Sequence, residues 1–202
     1  MRELTTIFAA IFFSLSAVVA WGADCRMEIP SGKSKLTWTG YKFTEKLGVN
    51  GSFDIIQFEQ NKKATSVDEL FRSISFTIDT ASINSGDPGR DKKLALYIFG
   101  PLKIPGQITG KVAAFDMARG TATAELDIGG TKTSVPFKVT SAKGSQKVKV
   151  VGEIDLVKIG MKRSYDLIAA ACKPLHTGAD GKAKTWTTVT LTVETEYAKA
   201  CH

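Results

Sequence analysis

Strict alternation of apolar and polar side chains, repeated in segments about as long as ordinary strands, restricts this chain more than any other feature. Residues 71–80 show it cleanly: Ile74, Phe76 and Ile78 share one face, and Ser75, Thr77 and Asp79 share the other. Such a segment is stable only with one face in a core and the other in water. Comparable segments run over 35–43, 49–58, 107–116, 119–128, 131–140, 147–157 and 186–197. Gly129 and Gly130 separate two of them and mark a tight hairpin, because glycine reaches positive φ without steric cost. Gly144 beside Ser145 marks another. Many consecutive strands on short links predict an all-β, antiparallel meander, either closed as a barrel or folded as a sandwich.

Two segments break the rhythm. Residues 89–99, reading GRDKKLALYIF, place Leu94, Tyr97 and Ile98 at helical spacing, and Pro101 follows where a helix should have stopped. Residues 164–172, reading SYDLIAAAC, predict a second short helix with Ser164 as its cap and Leu167, Ile168 and Ala171 facing inward. The stretch 173–184 reads as a long polar loop.

The N-terminus carries Arg2, an uncharged apolar run over 7–21 and the small residues Ala20, Gly22 and Ala23, the three-part layout of a secretory signal peptide. Cleavage after Ala20, Gly22 or Ala23 fits the small-residue preference, and we favour Gly22, leaving a signal peptide over 1–22 and one domain over 23–202. Asp24 disfavours lipid modification of Cys25, since that processing wants a small residue there. No later stretch approaches the roughly 18 apolar residues of a membrane span. The formal charge is +7, but the lysines recur singly along strands and loops, which suits a solvated surface better than a dedicated patch. Anionic head groups, pyrophosphates or an acidic partner are the contacts that such a charge favours, and export argues against nucleic acid.

The three cysteines, Cys25, Cys172 and Cys201, would enter an oxidising compartment where pairing is permitted. A closed barrel with antiparallel first and last strands would bring Cys25 towards Cys201. Pairing of Cys172 with either terminal cysteine is the alternative, and sequence does not fix the choice.

Catalytic chemistry is thinly supplied. The two histidines are His176 and His202. Cys172, His176 and Asp180 are evenly spaced, yet a half-cystine or buried thiol beside a loop histidine explains them without a triad. Cys172, His176, Cys201 and His202 match no structural zinc spacing. The Ser85-Gly86-Asp87-Pro88-Gly89 turn precedes a helix, but it lacks the Walker lysine, and Asp87 would repel a phosphate, so capping and turn chemistry account for it. We therefore expect no enzyme, no metal and no catalytic residue.

The inward set mixes bulky Phe53, Ile74, Phe76, Ile108, Val112, Val135, Phe137, Val189 and Leu191 with small Ala122, Ala124 and Gly152. A barrel of about eight strands is just wide enough to be filled by its own side chains or to hold one ligand, and small inner residues leave volume. On the residues alone, a filled core is the default.

Several motifs together point further. Trp38-Thr39-Gly40, the GVNGSF of 48–53, the IDTASINSG of 78–86 followed by Arg90-Asp91 and Leu94, the IPGQI of 104–108 and the hairpin 126–135 occur in this order. This series resembles the YceI-like family of exported polyisoprenoid-binding proteins, and it covers nearly the whole chain beyond the signal peptide. Departures from the family pattern are Asp87-Pro88, the missing aromatic before Pro105 and a longer segment over 172–186.

The resemblance implies an antiparallel lipocalin-like β-barrel of about eight strands with one or two short helices, located in the bacterial periplasm. It implies a polyisoprenoid, isoprenoid quinone or other long-chain lipid running into the barrel, head group near one open end, with no further cofactor. The expected cavity lining is Trp38, Phe43, Phe53, Ile74, Phe76, Ile78, Phe137 and Leu191, with Leu94, Phe99, Ile108 and Val135 as further ligand contacts. Asn84, Arg90 and Asp91 are expected to organise the adjoining loop and helix, Arg90 and Asp91 as a structural pair. The membrane surface and a second copy of the chain in a homodimer are the other partners compatible with this reading. Its rival is a non-enzymatic envelope interaction module with a filled core and a basic face.

Overall fold

The computed structural model describes residues 25–61 and 63–201. The expected signal peptide and His202 lie outside them. The strands are β1 (Cys25–Glu28), β2 (Ser34–Lys42), β3 (Leu47–Phe53), β4 (Ile56–Glu59), β5 (Ser75–Asp79), β6 (Ile83–Asn84), β7 (Gln107–Asp116), β8 (Thr121–Ile128), β9 (Thr131–Thr140), β10 (Lys147–Asp155), β11 (Thr185–Glu196) and β12 (Ala198–Cys201). Three helices interrupt them: α1 (Val67–Arg72), α2 (Pro88–Leu94) and α3 (Lys162–Ala171).

Ten of the strands form one antiparallel, strongly curled sheet in the order β4-β5-β7-β8-β9-β10-β11-β2-β3-β6. The count exceeds the expected eight or so because two strands are each broken once. Asp54 and Ile55 separate β3 from β4, and a 3-10 turn over Thr80–Ser82 separates β5 from β6. The second break is built by side chains: Asp79 Oδ1 accepts from the Ala81 amide at 2.8 Å, while Ser82 Oγ donates to the Asp79 carbonyl at 2.7 Å and accepts from the Ile55 amide at 3.0 Å. Backbone bonds from Asp54 N to Ser82 O (2.9 Å) and from Asp79 N to Ile55 O (3.1 Å) link the two broken strands.

Cys25 and Cys201 are disulfide-bonded, and Cys172 is a buried free thiol. The geometry that joins them differs from a barrel seam. Inside the sheet β11 pairs with β2, while β1 and β12 form a separate two-stranded ribbon with Cys25 opposite Cys201.

Three local expectations are corrected. Phe71 does not begin a strand: it lies in α1, which Ser66 caps by accepting from the Glu69 amide at 3.2 Å, and alternation starts only after Arg72. Ser164 does not cap α3, which begins at Lys162; it is buried within the helix. Leu167 turns outward, because the inward row is Met161, Ser164, Ile168 and Cys172 at three- and four-residue spacing. In the expected polar loop, a 3-10 turn over Lys173–His176 precedes a bridge between Thr177 and Ala183.

The two ends of the curled sheet differ. At one end α1 and the β1–β12 ribbon cover a packed core of Ile29, Leu70, Phe71, Phe115, Val139 and Val148, with Phe71 and Phe115 stacked at 4.3 Å. Phe115 faces inward because a bulge in β7 between Val112 and Ala114 shifts the alternation by one residue. At the other end lies a helical cap: α2, its π-helical continuation Ala95–Phe99 ending before Pro101, and α3. Among the described residues no helix is long and apolar enough to cross a membrane.

Candidate functional site

Inside the curled sheet is a cavity of about 830 Å³. The filled core expected from residue types alone is therefore not what forms, and this volume falls within the roughly 300–1,000 Å³ typical of small-molecule sites. One row of paired positions shows how the wall is built. Phe115 faces Ala122, Ala122 faces Phe137, Phe137 faces Gly152, Gly152 faces Leu191, Leu191 faces Trp38 and Trp38 faces Gly51. Each aromatic ring of the row has a glycine or alanine beside it. A Cβ added at Gly152 would lie 2.5 Å from the Phe137 ring, and one at Gly110 would lie 2.5 Å from its partner Phe76. Gly152 thus does not supply void, as its small size suggested. It supplies the berth in which Phe137 lies against the wall, which keeps the ring out of the lumen.

Of the residues named from sequence, Trp38, Phe53, Ile74, Phe76, Ile78, Leu94, Phe99, Ile108, Phe137 and Leu191 line the cavity, and so does Arg90. Phe53 and Phe99 meet at 6.0 Å in a tilted pair that closes the wall beneath the helical cap. Four residues lie elsewhere. Phe43 is corrected because β2 ends at Lys42: Phe43 takes a left-handed φ of 61° in the following turn, leaving the alternation, and its carbonyl accepts from Trp186 Nε1 at 2.8 Å. Val135 is buried against Leu126, Ile154, Leu156 and Met161, which themselves line the cavity, but it does not reach the lumen. Asn84 is exposed, with its amide on the Asp54 carboxylate at 3.0 and 3.1 Å.

Asp91 completes a polar brace. Its Oδ1 accepts from the Ser85 amide at 2.9 Å and from the Ser85 hydroxyl, while Arg90 donates through Nε to Ser85 Oγ at 2.7 Å and through Nη2 to Ser85 O at 2.8 Å. Arg90 and Asp91 thus act together through Ser85 to fix the loop onto α2. Asp87 caps that helix, its Oδ1 accepting from the Gly89 and Arg90 amides at 2.9 and 3.0 Å. Those amides are the donors a phosphate would need, so the glycine-containing turn is a cap and not an anion loop.

The segment 172–186 supplies what sequence reading missed. Cys172, Leu175, His176, Thr185 and Trp186 all line the cavity, joined at that end by Lys42, Asp87 and Lys93. Its unusual length was visible, but no periodicity marks which of its residues turn inward. His176 Nδ1 and Thr185 Oγ1 are 2.6 Å apart. Burial, then the Lys42 and Lys93 cations, hold the His176 imidazole below its ordinary pKa. Burial pushes the Cys172 thiol up, with Lys93 opposing. A thiol kept protonated beside an imidazole kept neutral is the reverse of an activated nucleophile pair. The disulfide removes Cys201 from any zinc set, and among the described residues no cluster of three metal-ligating side chains occurs.

A family model described as YceI-like domain matches residues 28–197. No curated protein matches the sequence. BcnA of Burkholderia cenocepacia is similar in structure, with a TM-score of 0.55 and 19% identity over 85% of this chain and 99% of that one. A polyisoprenoid binding domain from Saccharophagus degradans has a TM-score of 0.55 and 16% identity, covering 89% of this chain and 100% of that one. At these identities the likeness speaks for the fold.

Proposed function

The chain belongs to the YceI-like domain family, and from that premise we propose that it holds a long apolar molecule, a polyisoprenoid, an isoprenoid quinone or another long-chain lipid, inside its curled sheet. The observation that carries this reading is the 830 Å³ cavity with its wall of Trp38, Phe53, Ile74, Phe76, Ile108, Phe137 and Leu191. Each methylene taken from water into such a wall contributes roughly 0.8 kcal/mol, partly offset by ordering the chain. The Saccharophagus degradans relative, described as a polyisoprenoid binding domain, supports the ligand class.

Read as continuous strands, β3 with β4 and β5 with β6 would make this an eight-stranded, lipocalin-like barrel whose closure runs along their mutual pairing. The working domain would be 23–202 after removal of the signal peptide, placed in the periplasm, where the Cys25–Cys201 bond is stable. The apolar tail would occupy the Phe76–Phe137 region, and the head group would lie where Lys42, Arg90, Lys93 and His176 meet the lumen. Binding, and not catalysis, is the task this site suits.

Isoprenoid alcohols of increasing length test the reading. Affinity should rise steeply with each added isoprene unit and then level off once the cavity is full. Affinity independent of chain length would contradict a tail held inside.

A further inference from the structure

We propose that the helical cap is a docking face for an anionic lipid bilayer, through which the cavity fills and empties; this rests on the carrier reading above. α2, its π-helical continuation, α3 and the following 3-10 turn pack on one another over one end of the sheet. Large apolar side chains nevertheless project from this cap into solvent: Leu96 is 58% exposed, Leu175 57% and Leu167 38%. Leu167 lies on the outer side of α3, opposite the row that packs inward, so no fold-internal contact explains it.

Charge selects the partner. Lys92, Arg163 and Lys173 are exposed among these leucines. Cations outnumber carboxylates over 87–99 and 162–176, with Arg90, Lys92, Lys93, Lys162, Arg163 and Lys173 against Asp87, Asp91 and Asp166, of which Asp166 is paired with Lys162 at 2.6 Å. Single leucines spaced among cations suit shallow insertion between anionic head groups, whereas a protein partner would call for a contiguous apolar patch.

The cavity also reaches the surface here. Leu175 both lines it and stands in solvent, and Lys93 and His176 line it just inside. At the opposite end the exposed lining residues are Ser31, Gly32, Ser34 and Lys35, which offer no apolar group for insertion. A lipid leaving a bilayer at the cap would pass from the acyl region to the apolar wall with little of its tail crossing water.

Vesicle flotation with the mature chain tests this, using phosphatidylcholine alone and phosphatidylcholine containing phosphatidylglycerol, alongside farnesol binding in solution. The chain should float with the anionic vesicles and be released by salt. L96E/L167E, two positions off the cavity wall, should weaken flotation roughly tenfold while leaving farnesol affinity unchanged. Farnesol binding by a chain that ignores both vesicle types, as a carrier served by a protein partner would, overturns the docking face. So does an L96E/L167E variant that floats like the wild type. Salt-sensitive flotation that L96E/L167E loses, with no farnesol binding by either chain, would support the docking face and instead refute the carrier reading.

Discussion

Trp38 and Gly51 face each other across β2 and β3, and the indole fills the space that any larger side chain at Gly51 would need: a Cβ there would lie 2.1 Å from Trp38 Cζ2 and 2.8 Å from the Asn84 carbonyl. The indole is further tied by its Nε1, which donates to the Ser52 carbonyl at 3.2 Å. Gly51→Ala must therefore displace the ring towards the lumen or shift the backbone of β6. Overpacking of this kind costs about 1–3 kcal/mol. Denaturant unfolding should give that loss, together with weaker binding of a long isoprenoid alcohol. Gly152→Ala should behave alike through Phe137. Wild-type stability and affinity in both variants would contradict the berth geometry.

Phe76 lines the cavity and is only half-buried, because one side of its ring faces the lumen. Phe76→Glu should leave a folded protein and abolish lipid retention, since a carboxylate in the apolar wall must be hydrated or protonated and competes with the tail for that space. Circular dichroism checks the fold and lipid extraction checks retention. Unchanged lipid content would exclude Phe76 from the ligand site.

The disulfide closes a sequence separation of 176 residues, so its loss should cost about 2–5 kcal/mol. Because it joins the β1–β12 ribbon and not the ten-stranded sheet, Cys25→Ser/Cys201→Ser should lower the unfolding midpoint yet keep isoprenoid affinity. Non-reduced peptide mapping should recover the Cys25–Cys201 crosslink, with Cys172 as a free thiol. A crosslink containing Cys172 would contradict this arrangement.

Much of this was legible in the chain, and the failures have physical causes. Alternation placed the ends of β7 and β9 to the residue, although the bulge in β7 shifts its inward face by one position after Val112. It could not foresee the break at Asp79–Ser82, where the short side chains of Asp79 and Ser82 divert the backbone. Helix α1 was overlooked although Ser66-Val67-Asp68-Glu69 is a capping sequence, because its Phe71 and the following Ile74 keep apolar residues coming into β5. The cavity was harder still: Gly152 reads as a vacancy along one strand, and only cross-strand pairing reveals that Phe137 fills it, as Trp38 and Phe76 fill the space beside Gly51 and Gly110. His176 reaches the cavity through a 3-10 turn, which carries no periodic signal.

His176 gives a pH test. Its folded pKa is depressed by burial and by the Lys42 and Lys93 cations that face it, so the neutral ring is the form the fold prefers. The associated stability is complete above the unfolded value of about 6.5 and is lost as pH falls through the folded pKa. Imidazole proton shifts should titrate below that unfolded value, and His176→Gln should flatten the stability profile across the window. A titration at or above the unfolded value would contradict the buried placement beside the two lysines.

The most direct test of the carrier account is solvent extraction of the gently purified protein, followed by mass spectrometry of the extract and native mass spectrometry of the intact chain. The account predicts a long-chain isoprenoid or lipid at close to one molecule per chain, released on unfolding. A chain whose native mass equals its polypeptide mass, and which stays unloaded after incubation with polyprenols, would contradict it.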